Sequence, residues 1–208
     1  MKPDLTLRGF EIFERALSPQ AQQHLVEVLR RSAANTPPFQ PILPNGKRMS
    51  VRMTSFGRVG WLADQTGYRY ATHHPNGTPW PDIPAEVLAI WDAVSGVTRR
   101  PDCCLMNYYA EATKMGMHQD RDEGEFQWPV VSVSLGDDAL FRMGNVTKGG
   151  STESIWLRSG DVVVMGGDAR LAYHGVDRIA FGTSPLLAKG GRLNLTLRVV
   201  APTSRQPS

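Results

Sequence analysis

Four short apolar runs follow one another closely: Pro129-Val-Val-Ser-Val-Ser-Leu135, Ala139-Leu-Phe-Arg-Met143, Ser154-Ile-Trp-Leu157 and Asp161-Val-Val-Val-Met165. Each is rich in β-branched or aromatic residues, and glycine-bearing turns at Gly136, Gly144–Gly150 and Gly160 separate them. Cys103–Tyr109 precedes this set, and Leu171–His174 and Arg192–Val200 follow it with the same character. Closely spaced strands with no helical period between them predict a β-sandwich, barrel or jelly roll over residues 103–200.

The last run sharpens that reading. In Arg192-Leu-Asn194-Leu-Thr196-Leu-Arg198-Val199 the side chains alternate strictly, so Arg192, Asn194, Thr196 and Arg198 share one face and the leucines the other. A solvated edge strand would usually mix signs on its wet face, whereas this face carries two arginines and no acid. Two guanidiniums flanking an amide and a hydroxyl suit a small dicarboxylate, because the guanidinium fork matches carboxylate geometry. Asn107 and Tyr109 share a face of an earlier strand and offer an amide and a phenol as further donors.

Upstream the pattern changes. Ser18-Pro19 is an N-cap followed by proline at the first helical position, and Ala21, Leu25, Val28 and Leu29 then recur at helical spacing up to Asn35-Thr-Pro-Pro. A second helix is expected from about Pro84 to Ser95, with Val87, Leu88, Trp91 and Val94 on one face and Gly96 past its end. Both read as supports packed against a sheet. Residues 36–82 are rich in Pro, Gly, Thr and Arg, with Phe56, Trp61, Tyr68, Tyr70 and Trp80 as aromatic residues and Asn45-Gly46 as a hairpin signal. Such a stretch suits a binding surface better than a core.

Composition bounds the class. The chain has 208 residues, enough for a single domain (1–208), with an apolar fraction of 41% and a charged fraction of 21%. No apolar run reaches the ~20 residues of a membrane helix, and Met1-Lys-Pro-Asp leads into no secretory signal, so a cytoplasmic chain with no membrane partner is expected. The two cysteines, Cys103 and Cys104, are adjacent and read as buried small hydrophobes, which excludes a disulfide framework. A net charge of +3 permits a polyanionic partner without requiring one. Between residues 47 and 70, Lys47, Arg48, Arg52, Arg58 and Arg69 face a lone acid, Asp64, which is either a solvated basic face or a polyanion contact. Nothing marks an oligomer interface, and a monomer is expected.

His118-Gln119-Asp120 adds chemistry. On an extended strand residues i and i+2 project to the same side, so both side chains can meet one ion while Gln119 points away. With His174, read as closing a later strand, they form the two-histidine, one-carboxylate set that leaves open positions on Fe(II). Zinc also accepts such donors but has no redox chemistry.

Together these segments resemble the AlkB family of iron- and 2-oxoglutarate-dependent nucleic-acid dealkylases, most closely its bacterial members. The matching motifs are Asn-Tyr-Tyr-Ala at 107–110, His-Gln-Asp-Arg-Asp at 118–122, Val-Ser-Val-Ser-Leu-Gly at 131–136, Gly-Asp-Val-Val-Val at 160–164, Arg-Leu-Ala-Tyr-His-Gly at 170–175 and Arg-Leu-Asn-Leu-Thr-Leu-Arg at 192–198. Weaker similarity extends through Gly60-Trp61, Gly67-Tyr68 and Pro79-Trp-Pro81. The resemblance implies a mainly β (α+β) double-stranded β-helix, a jelly roll with supporting helices, under an N-terminal nucleotide-recognition lid at 36–82. It implies Fe(II) on His118, Asp120 and His174. It places 2-oxoglutarate on Asn107, Tyr109, Arg192, Asn194 and Arg198, with Arg192 at the distal carboxylate and Arg198 nearer the metal. Trp61 would stack on the damaged base opposite His118, Tyr68 would meet the nucleotide backbone, Met53 would line the pocket and Asp122 would accept from the base's exocyclic amine. The implied reaction consumes 2-oxoglutarate and O2 and yields succinate, CO2 and formaldehyde. Its substrates would be N1-methyladenine and N3-methylcytosine in DNA, with RNA and strandedness left open.

Three positions depart from the family pattern. Lys148 stands where an arginine usually contacts phosphate, Pro44-Asn-Gly-Lys47-Arg48 replaces a segment carrying a tyrosine, and Met165 replaces a common tryptophan. Two rival readings remain at the level of sequence: a small-molecule or protein hydroxylase on the same scaffold, and a cupin-like metal-binding protein with no redox role.

Overall fold

The computed structural model describes residues 1–200. Its strands, in chain order, are β1 (Leu5–Leu7), β2 (Phe10–Phe13), β3 (Arg52–Gly57), β4 (Gly60–Asp64), β5 (Gly67–Ala71), β6 (Cys103–Tyr109), β7 (Met115–His118), β8 (Val130–Gly136), β9 (Asp138–Met143), β10 (Glu153–Leu157), β11 (Val162–Met165), β12 (His174–Ala180) and β13 (Arg192–Arg198). Two helices, α1 (Pro19–Ser32) and α2 (Ala85–Val94), complete the described elements with a short 3-10 turn at Gly167–Ala169. A seven-stranded sheet in the order β1-β2-β11-β8-β13-β6-β3 faces a four-stranded sheet in the order β10-β9-β12-β7, and every recorded pairing is antiparallel. Two facing antiparallel sheets of this kind are the expected jelly roll. Among the described residues no helix is long and apolar enough to cross a membrane.

The alternation along each strand divides the core in two. Leu195 and Leu197 of β13, with Val131, Val133 and Leu135 of β8, pack against Leu25 and Leu29 of α1 and Val87 and Trp91 of α2. Val163 and Met165 of β11 turn the other way, meeting Phe10, Ile12, Phe141 and Met143 between the sheets. A strand buried on both faces needs no polar side, which explains the unbroken Val162–Met165 run. α1 starts as its sequence requires, with the Ser18 side chain accepting from the Ala21 amide and proline opening the first turn. Gly96 sits past the end of α2 at φ +69°.

Four readings are corrected, and one hairpin left no signal in the sequence. β7 ends at His118, so Asp120 lies in the loop beyond the strand rather than on it. His174 opens β12 instead of closing a strand, because Gly167–Ala169 coils the preceding segment. The β1–β2 hairpin carries too few alternating residues to stand out, yet β2 pairs with β11 in the large sheet. Within 36–82, β3 pairs with β6 in that sheet, and only β4 and β5 form a separate hairpin. Phe56 and Trp80, read there as surface aromatics, are buried in the core.

Candidate active site

The polar face of β13 is not a wet edge. β13 lies between β8 and β6, and Arg192, Asn194, Thr196 and Arg198 are all buried, lining one cavity of about 610 Å³ between the sheets. That volume is typical of a small-molecule site. Its walls also include Asn107 and Tyr109 of β6, Met53 of β3, and Trp61 and Tyr68 of the β4–β5 hairpin.

His118, Asp120 and His174 converge on this cavity. One ligand atom from each lies within 4.8 Å of the others, and the imidazole centroids are 4.6 Å apart. The pairing of His174 with His118 across β12 and β7 sets the two rings side by side. Each Nδ1 faces a backbone carbonyl, His118 that of Gly116 at 2.9 Å and His174 that of Ala172 at 3.0 Å. An Nδ1–H bonded there leaves each Nε2 lone pair for a metal. Burial pushes His174 down to about 4, so its ring is neutral at physiological pH, the state ligation needs. Burial alone would raise the Asp120 carboxyl, but the Arg198 guanidinium, joined at low pH by the protonated imidazoles, outweighs it and holds the group well below the usual carboxylate range.

The donor set fits Fe(II) with a dicarboxylate beside it. Asp120 Oδ2 is buried without a hydrogen-bond partner, as are Asn107 Oδ1 and Nε and Nη1 of Arg192. Arg192 is 1% exposed, and Nη2 finds Ser134 Oγ at 2.9 Å but no carboxylate. An unpaired buried guanidinium is costly unless an anion meets it. Arg198 also leaves Nε and Nη1 without a hydrogen bond, but it has carboxylates beside it, with Nη2 2.9 Å from Asp120 Oδ1 and Nε 3.2 Å from Glu123 Oε1.

The remaining predicted residues are less uniform. The Asn194 amide donates to Ser132 Oγ at 2.7 Å and the Val133 carbonyl at 3.2 Å, so both its N–H groups are engaged within the protein. Trp61 donates from Nε1 to Asp122 Oδ2 at 2.7 Å, and Tyr68 stacks on its ring at 5.6 Å between centroids. Lys148 is exposed in the β9–β10 loop, outside the cavity wall. Two of the basic residues at 47–70 are matched, Arg58 with Asp102 and Arg69 with Asp64, which reduces the predicted basic surface.

Sequence reasoning missed Glu123. Its buried carboxylate accepts from the Tyr70 hydroxyl and pairs with Arg170 at 3.1 Å as well as Arg198. No spacing signal marks it, because its partners come from three distant segments. It also missed Gln119, whose Nε2 donates to the carbonyls of Val146 and Leu171 and so ties the loop after β9 to the segment before His174.

Two histidines and one carboxylate beside an unpaired arginine could hold a metal such as Fe(II), with room for a dicarboxylate co-substrate. A model of the 2OG-Fe(II) oxygenase superfamily matches residues 9–198. The chain is 46% identical over 198 residues to the alpha-ketoglutarate-dependent dioxygenase AlkB homolog of Caulobacter vibrioides, covering 95% of this chain and 90% of that one. It is 32% identical to the DNA N(6)-methyladenine demethylase ALKBH1D of Arabidopsis thaliana, covering 91% of this chain and 49% of that longer protein. The solved structure of OsALKBH1 superposes with a TM-score of 0.78 at 29% identity, over 94% of this chain and 99% of that one. The chain belongs to the 2OG-Fe(II) oxygenase superfamily and, within it, to the AlkB family of dioxygenases.

Proposed function

We propose that this protein repairs alkylated DNA by oxidative demethylation of bases such as N1-methyladenine and N3-methylcytosine. The observation that carries this reading is one continuous cavity lined by the unpaired Arg192, the His118–Asp120–His174 set and the Trp61 hairpin. Fe(II) bound to that set, with 2-oxoglutarate and O2, supplies the oxidant that hydroxylates an N-methyl group, the co-substrate leaving as succinate and CO2.

The chain's own residues bind, orient and exclude water. Arg192 takes the distal carboxylate of 2-oxoglutarate, for which its guanidinium keeps donors without a partner inside the protein. Arg198 lies against Asp120 and so serves the metal-bound end. Asn107 and Tyr109 flank the co-substrate, and Asn194, engaged with Ser132, shapes the floor beneath it. Within residues 36–82, the β4–β5 hairpin acts as a lid over the 103–200 core. Trp61 stacks on the extruded base opposite His118, with Met53 as a side wall. A methyl group on a Watson–Crick edge weakens pairing and lowers the cost of extrusion. Tyr68 meets the nucleotide backbone, Lys148 a phosphate, and the Asp122 oxygen not engaged by Trp61 accepts from the exocyclic amine. Once hydroxylated, the N-hydroxymethyl group leaves as formaldehyde and restores the base.

Formaldehyde release across a panel of alkylated DNA and RNA oligonucleotides tests the reading. Iron- and 2-oxoglutarate-dependent release from N1-methyladenine and N3-methylcytosine is expected. Silence on every methylated base, with 2-oxoglutarate still consumed on a small molecule or peptide, would assign the site to a different hydroxylase.

A further inference from the structure

We propose that Arg8, at the tip of the N-terminal hairpin, is a positioning residue for the loop that presents Lys148 to the nucleic-acid backbone. The inference rests on the phosphate-contact reading of Lys148. Leu7 pairs with Phe10, so Arg8-Gly9 is a two-residue hairpin turn, and both residues are left-handed at φ +51° and +83°. Such turns favour Asn, Asp or Gly at the first position, and an L side chain with a long stem rarely takes it. Arginine is an unexpected choice there on backbone grounds. What the side chain does explains it.

Arg8 reaches across the chain to the β9–β10 loop. Nε donates to the Gly144 carbonyl at 3.3 Å, and Nη2 donates to Asn145 Oδ1. Asn145 is the pin around which the loop folds. Its Nδ2 donates to the Gly149 carbonyl at 3.0 Å, and its own carbonyl accepts from the Tyr173 amide at 2.9 Å. The loop closes so tightly over it that a Cβ at Gly150 would stand 2.4 Å from Asn145 Nδ2. Lys148 lies between these anchors, exposed, with its backbone curved by the left-handed glycines at φ +97° and +80° beside it. The hairpin turn is itself seated, since a Cβ on Gly9 would meet Ala169 Cβ at 3.3 Å in the turn that precedes His174. Arg8 therefore links the fixed end of the metal site to the placement of a flexible cation. It touches neither substrate nor co-substrate.

The test uses the full chain, loaded anaerobically with Fe(II) and 2-oxoglutarate, and a labelled single-stranded oligonucleotide carrying one N1-methyladenine. Arg8→Gly removes the clamp while relieving the left-handed turn, so its Tm should match or exceed wild type. Its oligonucleotide Kd should weaken by roughly three- to tenfold, and the slope of log Kd against log salt should fall by about one, the signature of one lost phosphate contact. Asn145→Ala, which removes no charge, should reproduce the change. The double variant Arg8→Gly/Lys148→Ala should bind no worse than Lys148→Ala alone, and the Kd for 2-oxoglutarate should not move with Arg8→Gly. A wild-type oligonucleotide Kd in Arg8→Gly overturns the proposal, and so do additive losses in the double variant, which would make Arg8 a phosphate contact in its own right. If Lys148→Ala itself binds as wild type, the phosphate reading fails and this inference fails with it; a weakened Lys148→Ala beside an unaffected Arg8→Gly removes the clamp alone.

Discussion

The two ends of the cavity are built differently. Its floor is β13, hydrogen-bonded on both sides by β8 and β6, with Arg192 1% exposed and Asn107 of the neighbouring β6 5% exposed. Its roof is the β4–β5 hairpin, whose strands pair only with each other and whose Tyr68 is 51% exposed. The hairpin is tied to the body by Trp61 on Asp122 and Tyr70 on Glu123. A strand held from both sides fixes the direction of every side chain, whereas a two-stranded ribbon is marginal alone and can adapt. On the proposed function, the co-substrate contacts of β13 and β6 thus lie on the rigid floor, and the substrate contacts on the adaptable roof.

The largest expected effect is on the metal. Asp120→Ala removes a ligand, and anaerobic Fe(II) titration should show binding weaker by about 100-fold or more, roughly 2.7 kcal/mol, with turnover abolished. Retained iron-dependent turnover would contradict the triad.

Next come the two floor arginines, where opposite signs are expected in the protein without co-substrate. Arg192→Met should weaken 2-oxoglutarate binding by about 2–5 kcal/mol, since a paired carboxylate loses its fork. Yet it removes an unpaired buried cation, so ligand-free stability to urea should be unchanged or higher by about 1–4 kcal/mol. Arg198→Met strips Asp120 and Glu123 of their shared cation and should destabilise the same state by about 3–5 kcal/mol. Urea melts of both variants, read alongside 2-oxoglutarate titrations, check the contrast; equal destabilisation would mean that Arg192 has a partner in solution.

On the roof the effects should be smaller and confined to substrate. Trp61→Ala should raise the oligonucleotide KM by an amount equivalent to about 1–3 kcal/mol of stacking. Uncoupled 2-oxoglutarate consumption should stay near wild type. Parallel loss of both activities would make Trp61 a structural member of the core.

This division also explains what could be read from the chain alone. Strand periodicity placed the β13 face and the Asn107–Tyr109 pair, because a period of two is a local property of a regular strand. It could not show that this face is interior, which depends on β8 and β6 arriving on either side. The three metal donors were legible as residue types, but their placement was not: Asp120 lies in a loop and His174 at a strand start. Glu123 and Arg8 were invisible for the same reason. Their meaning comes from partners 47 to 137 residues away, and no local pattern carries that information. The aromatic stretch at 36–82 misled in part, since composition cannot separate Trp61 on the hairpin from Phe56 in the core.

The smallest effect divides the roof most finely. Asp122 is exposed and holds Trp61 through Oδ2, and on the proposed function Oδ1 accepts from a base amine. Asp122→Ala removes both contacts and should lower kcat/KM by about two- to fivefold on every methylated base, as expected for an exposed polar pair. Asp122→Asn keeps one carbonyl oxygen, which must choose between Trp61 and the substrate. Its loss should therefore appear with N1-methyladenine and N3-methylcytosine, which carry an exocyclic amine, and vanish with N3-methylthymine, which carries none. Equal loss on all three would show that Asp122 serves only to hold the tryptophan, and selectivity among bases would then have to come from the shape of the cavity beside Met53.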